Sequence, residues 1–513
     1  MNNVNEYIEK LNSLYEGRKA YFGDMHNHSN CGDGKNSLAE WRDGMPRGTD
    51  MNSITPNLAQ VMGNTDSESI QNAINEAKRT GLNKVVIPRY NERTERNIWI
   101  IDTAILLPSD IEIVLDNSHL RMADGVYSNM FRNALARTPE GLLQENEQCN
   151  IHITGIGNAV LDGGEPNGLD EYTQLKNGKP HVTSNVLIYL HNVRDFSLTG
   201  FSVHDQRYWA IELMFARFGR VKNLSFRLNR HHIDAYQPWR FQDGVDLRVG
   251  CSNILVEDIE GEIGDDLVAL TALSNPNNEE AERVEGRDRD IHDIIIRNIR
   301  GISNMCSIIR ILCHFGQRIY NVTIDGVYDV GRPGLDARTQ MVLRIGDDCS
   351  AYYRKDFANR VKLGEMFNIS VNNVFSRGLS ALNISTCVKN LTARNIHVHS
   401  DGGYAVMFGY SVVGKVFIYH PSRREEYDDI RLLLRDSEMR TPDKIDDLES
   451  VPHTELENVL VENVFYDVEN GYSDAVVGVW NARCKNVSVK NIFNSTNVDN
   501  VKYYDELSSK IDI

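Results

Sequence analysis

Residues 241–271 read FQDGVDLRVGCSNILVEDIEGEIGDDLVALT, and the fold turns on this stretch. It holds an Asp-Gly at Asp243 and Gly244 and a Gly-Asp-Asp at Gly264, Asp265 and Asp266, with 22 residues from Asp243 to Asp265. Between them lies a short apolar alternation at Ile254, Val256 and Ile259. Carboxylates spaced by one turn of a repeating coil come together when the coil closes. The rest of the chain must then supply the coil.

It does so from about residue 150 onward. One phrase recurs: Asn or Asp, apolar, polar, apolar, two polar, apolar, as in NILVEDI, DIIIRNI, NVTIDGV, NISVNNV, NLTARNI, NVLVENV and NVSVKNI. The lead residues Asn223, Asn253, Asp293, Asn321, Asn368, Asn390, Asn458 and Asn486 are separated by 30, 40, 28, 47, 22, 68 and 28 residues. The interval of 22 reads as a bare coil, longer ones as a coil with loops, and 68 as close to three coils. Short period-two strands at such a repeat, without helices between them, predict a solenoid. A parallel β-helix fits best, because stacking at about 4.8 Å closes an apolar interior that no single coil can bury. A doubly wound α/β sheet is disfavoured, since the intervals carry no amphipathic helices.

Ahead of the coils, SESIQNAINEAKRT at 67–80 predicts a capping helix, with Ser67 as N-cap, a stripe of Ile70, Ala73, Ile74 and Ala77, and Gly81 as the stop. Residues 1–65 form an N-terminal arm with a short helix near 1–20 and a loop at 21–34, and 66–513 the β-helix domain. The excursion at 421–450, with 16 charged residues, reads as a solvated insertion.

The chain has 513 residues, of which 41% are hydrophobic and 25% charged, ordinary values for a globular protein. Its formal charge, 55 − 72 = −17, repels polyphosphates, so no nucleic-acid partner is expected. The N-terminal stretch lacks the apolar region of a secretory signal, and no segment has the length of a membrane span, so a cytoplasmic location is expected. Eight scattered cysteines without CxxC suit reduced thiols there. The Asn-x-Ser/Thr sequences at Asn321, Asn368 and Asn390 read as turn or ladder asparagines rather than glycan acceptors.

Adjacent carboxylates on neighbouring rungs do not ionise independently, and one keeps a proton near neutral pH. An acid holding a proton opposite an ionised base is what glycosidic cleavage requires. A strictly extended strand points Asp265 and Asp266 to opposite faces, so both reach one site only through a bend at Gly264. The same residues also suit surface turns, where Asp-Gly is common.

From about Thr199 to Leu273 the chain resembles the polygalacturonase-like enzymes of glycoside hydrolase family 28. Trp209 in RYWAIEL, QDG at 242–244 and GDD at 264–266 carry the resemblance, and the opening SESIQNAINEAKRTG with VVIP looks like that family's first helix and strand. It implies a right-handed parallel β-helix and inverting hydrolysis, with Asp265 as general acid and Asp243 and Asp266 positioning and deprotonating water. The family's Gly-His-Gly falls near Asn304–Cys306, where no histidine stands, and its Arg-Ile-Lys falls on Arg344-Ile345-Gly346, which keeps only the arginine. Arg248, Arg310 and His314 are candidates to hold a substrate carboxylate in their place. Trp209 and Trp239 are candidates to stack on sugar rings, or else to pack.

The expected activity is exo-acting hydrolysis of short oligosaccharides, without cofactor or metal. A carbohydrate lyase or epimerase and a non-catalytic carbohydrate-binding solenoid are the alternatives. A second Gly-Asp-Asp, with Asp347 and Asp348, reads as several coils distant. Asp24-Met25-His26-Asn27-His28 looks like the opening metal motif of PHP-type phosphoesterases, but no βα units follow to complete it, so a packing loop is expected. The arm and the charged insertion are possible homo-oligomer contacts.

Overall fold

The computed structural model describes residues 52–170, 173–228, 242–273, 283–304, 306–331, 339–346, 360–400, 402–409, 453–469 and 473–513. All lie within one compact unit, Asn52–Ile513. The expected helix near 1–20, the His26/His28 loop, Trp239, Asp347, Asp348 and the charged insertion fall outside these residues.

The strands wind as a parallel β-helix. From about residue 188 each coil contributes one long strand and one short one, and each pairs in parallel with its counterpart on the next coil. The long series runs through Ile211–Arg227, Ser252–Ile263, Ile291–Ser303, Ile319–Asp329, Met366–Ser376, Val388–Ser400, Thr454–Val468 and Ala482–Asn494. The short series runs through Val245–Arg248, Val268–Ala272, Ser307–Cys313, Met341–Ile345, Ser380–Ile384, Tyr404–Gly409 and Ala475–Trp480. Apolar residues stack inside from rung to rung, as in the column Val221, Val256, Ile296, Ile324, Val371, Ala393, Val461 and Val489, every member of it buried. This continuous bore is what a lone coil lacks, so pairing and burial stabilise each other.

The recurring asparagines turn the corners of the coil. Asn321, Asn368, Asn390, Asn458 and Asn486 all adopt left-handed backbone angles, φ 54–56°. Asparagine tolerates that region better than other residues with a side chain, glycine apart. Their amides form a ladder: Asn321 donates to Asp293 (3.0 Å), Asn368 to Asn321 (3.2 Å), Asn390 to Asn368 (3.2 Å), Asn458 to Asn390 (3.0 Å) and Asn486 to Asn458 (2.9 Å). The interval of 68 residues from Asn390 to Asn458 is therefore one coil carrying an insertion, not three coils, because Val388–Ser400 pairs directly with Thr454–Val468.

The helix Asp66–Thr80 packs its buried Ile70, Ala73, Ile74 and Ala77 against the first strands. Its N-cap is Thr65, not the expected Ser67. Thr65 Oγ1 accepts from Glu68 N at 3.2 Å, while Glu68 Oε2 reaches back past the cap to accept from Asn64 N at 2.7 Å. The Ser67 hydroxyl instead accepts from Asp102 N at 3.0 Å and ties the helix to the coil. Gly81 closes the helix at φ 74°. Pairing starts before the expected boundary at residue 66, with a bridge from Ile54 to Val85. Among the described residues no helix is long and apolar enough to cross a membrane.

Candidate active site

The short strands share a pattern: an apolar residue, one outward residue, then another apolar residue. IEL at 211–213, VDL at 245–247, VAL at 268–270, IRI at 309–311, LRI at 343–345 and LNI at 382–384 all follow it. Their register stacks the middle residues into one column: Glu212, Asp246, Ala269, Arg310, Arg344 and Asn383. The flanking residues face the bore, so this column lies on the outside of the coil.

The candidate aspartates lie just ahead of these strands. Val245 pairs with Val268, 23 residues on, so the coil here is one residue longer than the expected 22. Asp243 is consequently level with Asp266, and Gly244 N donates to Asp266 O at 2.9 Å. Asp265 falls beside Gln242, whose carbonyl accepts from Gly264 N at 3.2 Å. The chain bends at Gly264 and Asp265, as the two-sided problem of an extended strand requires. The bend brings carboxylate oxygens of Asp265 and Asp266 and the Sγ of Cys306 within 4.8 Å of one another. Asp265 is half-buried, and Asp243 and Asp266 are buried.

The backbone beneath is clamped. Asp243 O accepts from Ala210 N at 2.9 Å and Gln206 Nε2 at 3.3 Å, and the Ser303 hydroxyl donates to Asp265 O while accepting from Cys306 N at 2.8 Å. Such clamping fixes the backbone from which these side chains project.

The electrostatics of the group are uneven. Burial pushes the Asp243 carboxyl well above the usual carboxylate range, reinforced by Asp246, Asp265 and Asp266 and opposed by Arg310. Asp246 is pushed up in the same way by its burial, with Arg248 pulling against and Glu212, Asp266 and Asp265 adding to the rise. Asp266 forms an ion pair with Arg310, Nη1 to Oδ2 at 3.1 Å. Burial, with Asp266 and Asp265 nearby, also raises the Cys306 thiol.

Of the expected binding residues, three join this group. Arg310 holds Asp266, and Arg344, one rung further, donates to Cys306 Sγ at 3.3 Å. Arg248 donates to Thr271 Oγ1 at 2.8 Å and lies 5.0 Å over the Trp209 ring. Trp209 itself stacks on Tyr208 at 4.7 Å and packs beside an apolar cluster with Met214 and Phe215. His314 does not join: it follows the far end of the strand Ser307–Cys313, where its backbone N donates to Ala272 O at 3.0 Å. The second Gly-Asp-Asp begins at Gly346, just past the strand Met341–Ile345, which is two rungs from Val268–Ala272 rather than several.

Glu212, Asp246 and Cys306 were not among the expected site residues. The signal for the first two was the lone acid between apolar neighbours in IEL and VDL. Cys306 stands near the position where the resembled family carries its histidine.

No family model matches the chain, and no curated protein sequence matches it significantly. Solved structures with a similar winding include an endo-xylogalacturonan hydrolase from Aspergillus tubingensis, 13% identical over 90% of this chain and 95% of that one, TM-score 0.43. A mannuronan C-5 epimerase A-module from Azotobacter vinelandii is 12% identical over 87% and 95%, TM-score 0.44. The surface adhesin PfbA of Streptococcus pneumoniae is 10% identical over 90% and 93%, TM-score 0.46. These likenesses concern the winding of the chain alone.

Proposed function

We propose that the chain hydrolyses glycosidic bonds in short oligosaccharides, acting from the chain end, with Asp243, Asp265 and Asp266 as the catalytic carboxylates. The observation that carries this is the convergence of the three on one outer face in unequal environments. Asp265 is the half-exposed member and donates a proton to the leaving oxygen. Asp266, ion-paired with Arg310, accepts the proton of the attacking water. Asp243, its carboxyl pushed up by burial, orients that water. Arg310 and Arg344 flank the group and suit a sugar bearing a carboxylate.

One spacing favours a second stereochemical outcome. Oxygens of Asp265 and Asp266 lie within 4.8 Å, whereas inverting enzymes separate acid and base by roughly 6.5–9.5 Å and retaining ones by about 5–5.5 Å. Inversion, the outcome the family resemblance implies, then requires the water to enter beside the Asp243–Asp266 edge rather than between Asp265 and Asp266.

A proton NMR time course on a panel of α- and β-linked disaccharides, uronides and neutral sugars together, tests both points. Cleavage by the wild type and silence of Asp265→Asn support hydrolysis, and the first anomer to appear gives the stereochemistry. Cleavage that survives in Asp265→Asn sinks the assignment. An unsaturated or epimerised product instead of a hydrolysed one moves the chain to the lyase or epimerase class.

A further inference from the structure

Glycoside hydrolysis has no use for a thiol, yet Cys306 Sγ lies within 4.8 Å of carboxylate oxygens of both Asp265 and Asp266. Asp266 is 1% exposed, and Arg310 occupies only its Oδ2, so that Oδ1 is buried without a partner. Asp243, 5% exposed and electrostatically coupled to both aspartates, also buries Oδ1 without a partner. Buried carboxylate oxygens are stabilised by a donor or a cation. On the sulfur side, Arg344 Nη1 donates to Sγ at 3.3 Å and fixes its position, and an ion binding here displaces the thiol proton. The bond from Arg310 to Asp266 fixes the orientation of one ligand in the manner of an outer-shell partner.

We infer that Asp265, Asp266 and Cys306 form a binding site for one divalent transition-metal ion of the zinc type. A thiolate beside two carboxylates selects zinc, cobalt or similar ions over magnesium and calcium, which take oxygen ligands alone. With bonds of about 2.0–2.3 Å, donors around a tetrahedral ion lie less than about 4 Å apart, so closing from 4.8 Å takes a shift of about 1 Å in the side chains. Asp243 Oδ1 is the candidate fourth donor. Metal bound here occupies the carboxylates that hydrolysis uses, so it suppresses turnover.

The test is a cobalt titration of the full chain after treatment with a chelator. One equivalent of Co²⁺ is expected to produce a near-ultraviolet thiolate-to-metal charge-transfer band, and zinc to displace it. Cys306→Ser loses the band and binds zinc at least tenfold more weakly by calorimetry, whereas Cys251→Ser, at a buried thiol outside the cluster, keeps both. Asp266→Asn weakens binding while retaining a sulfur band at higher cobalt. Absence of a band in the wild type, or a band that survives in a Cys306→Ser protein with wild-type circular dichroism, overturns the site. The readout involves no sugar, so it stands or falls separately from hydrolysis measured in chelator.

Discussion

Two columns climb the same solenoid at the same spacing of about 4.8 Å, and they differ in kind. Along one corner, asparagine follows asparagine, each amide bonded to the last. Along the outer face of the short strands, the residues change at every rung, from Glu212 through Asp246, Ala269 and Arg310 to Arg344 and Asn383. A repeating column can satisfy itself from rung to rung. A changing column cannot: both carboxylate oxygens of Asp246 and both amide atoms of Asn383 are buried without partners. The repeating column closes its own hydrogen bonds, and the changing one leaves buried polar atoms open.

The largest expected effect falls on the bend just ahead of the changing column. Asp265→Asn removes the proposed acid while keeping the shape of the side chain, and turnover should fall by about 10²–10⁴-fold. Thermal stability should stay near that of the wild type, since Asp265 is half-buried and its backbone clamps remain. Equal losses of activity and stability would make the aspartate a structural member and erase the contrast.

Next in size is the repeating column. Asn390 holds φ 54°, gives one ladder bond to Asn368 and receives one from Asn458. Asn390→Val places a β-branched residue in the left-handed region, at about 1–2 kcal/mol, and forfeits two exposed bonds worth about 1 kcal/mol together. Urea unfolding should show a loss of about 2–3 kcal/mol with hydrolysis intact. An unchanged midpoint would mean the corner relaxes freely and the ladder is incidental.

The two columns were unequally legible in the sequence, for the same reason. Repetition announces itself, so the β-helix, its apolar bore and the corner asparagines followed from one recurring phrase. The charged run at 421–450 marked an insertion but not how much of the interval it fills, which is why the 68 residues from Asn390 to Asn458 read as close to three coils when they are one. The three aspartates were recognisable, but which of Asp265 and Asp266 lies level with Asp243 depends on a backbone bend at Gly264 and Asp265. Glu212 and Asp246 each look like an ordinary outward residue within a strand. Only the register shows that they stand on adjacent rungs, two buried acids one above the other.

That pair gives a third, smaller effect with a defined sign. Burial holds the Asp246 carboxyl well above the usual range, so the folded protein keeps a proton that the unfolded chain releases near pH 4. The folded state binds more protons than the unfolded one between those two values, so this contribution to stability falls as pH rises through that window. Asp246→Asn never ionises and escapes the loss. It should be more stable than the wild type by on the order of 1 kcal/mol at pH 8, with the difference closing toward pH 4. Urea midpoints at pH 4, 6 and 8 measure this, and a difference that does not vary with pH would rule out a trapped proton as its source.

The smallest effect asks what the ladder bonds themselves contribute. Glycine keeps the left-handed conformation without strain, so Asn→Gly deletes the amide and leaves the corner able to form. Asn390 takes part in two ladder bonds, whereas Asn486 donates one, to Asn458. If exposed ladder bonds contribute a few tenths of a kcal/mol each, Asn390→Gly should cost roughly twice what Asn486→Gly costs, both well below Asn390→Val. If the two glycine variants cost the same, the bonds contribute nothing net, because water replaces them at an exposed corner. Asparagine would then recur for its tolerance of the left-handed region alone, and the repeating column would be a row of independent turns rather than a cooperative strut.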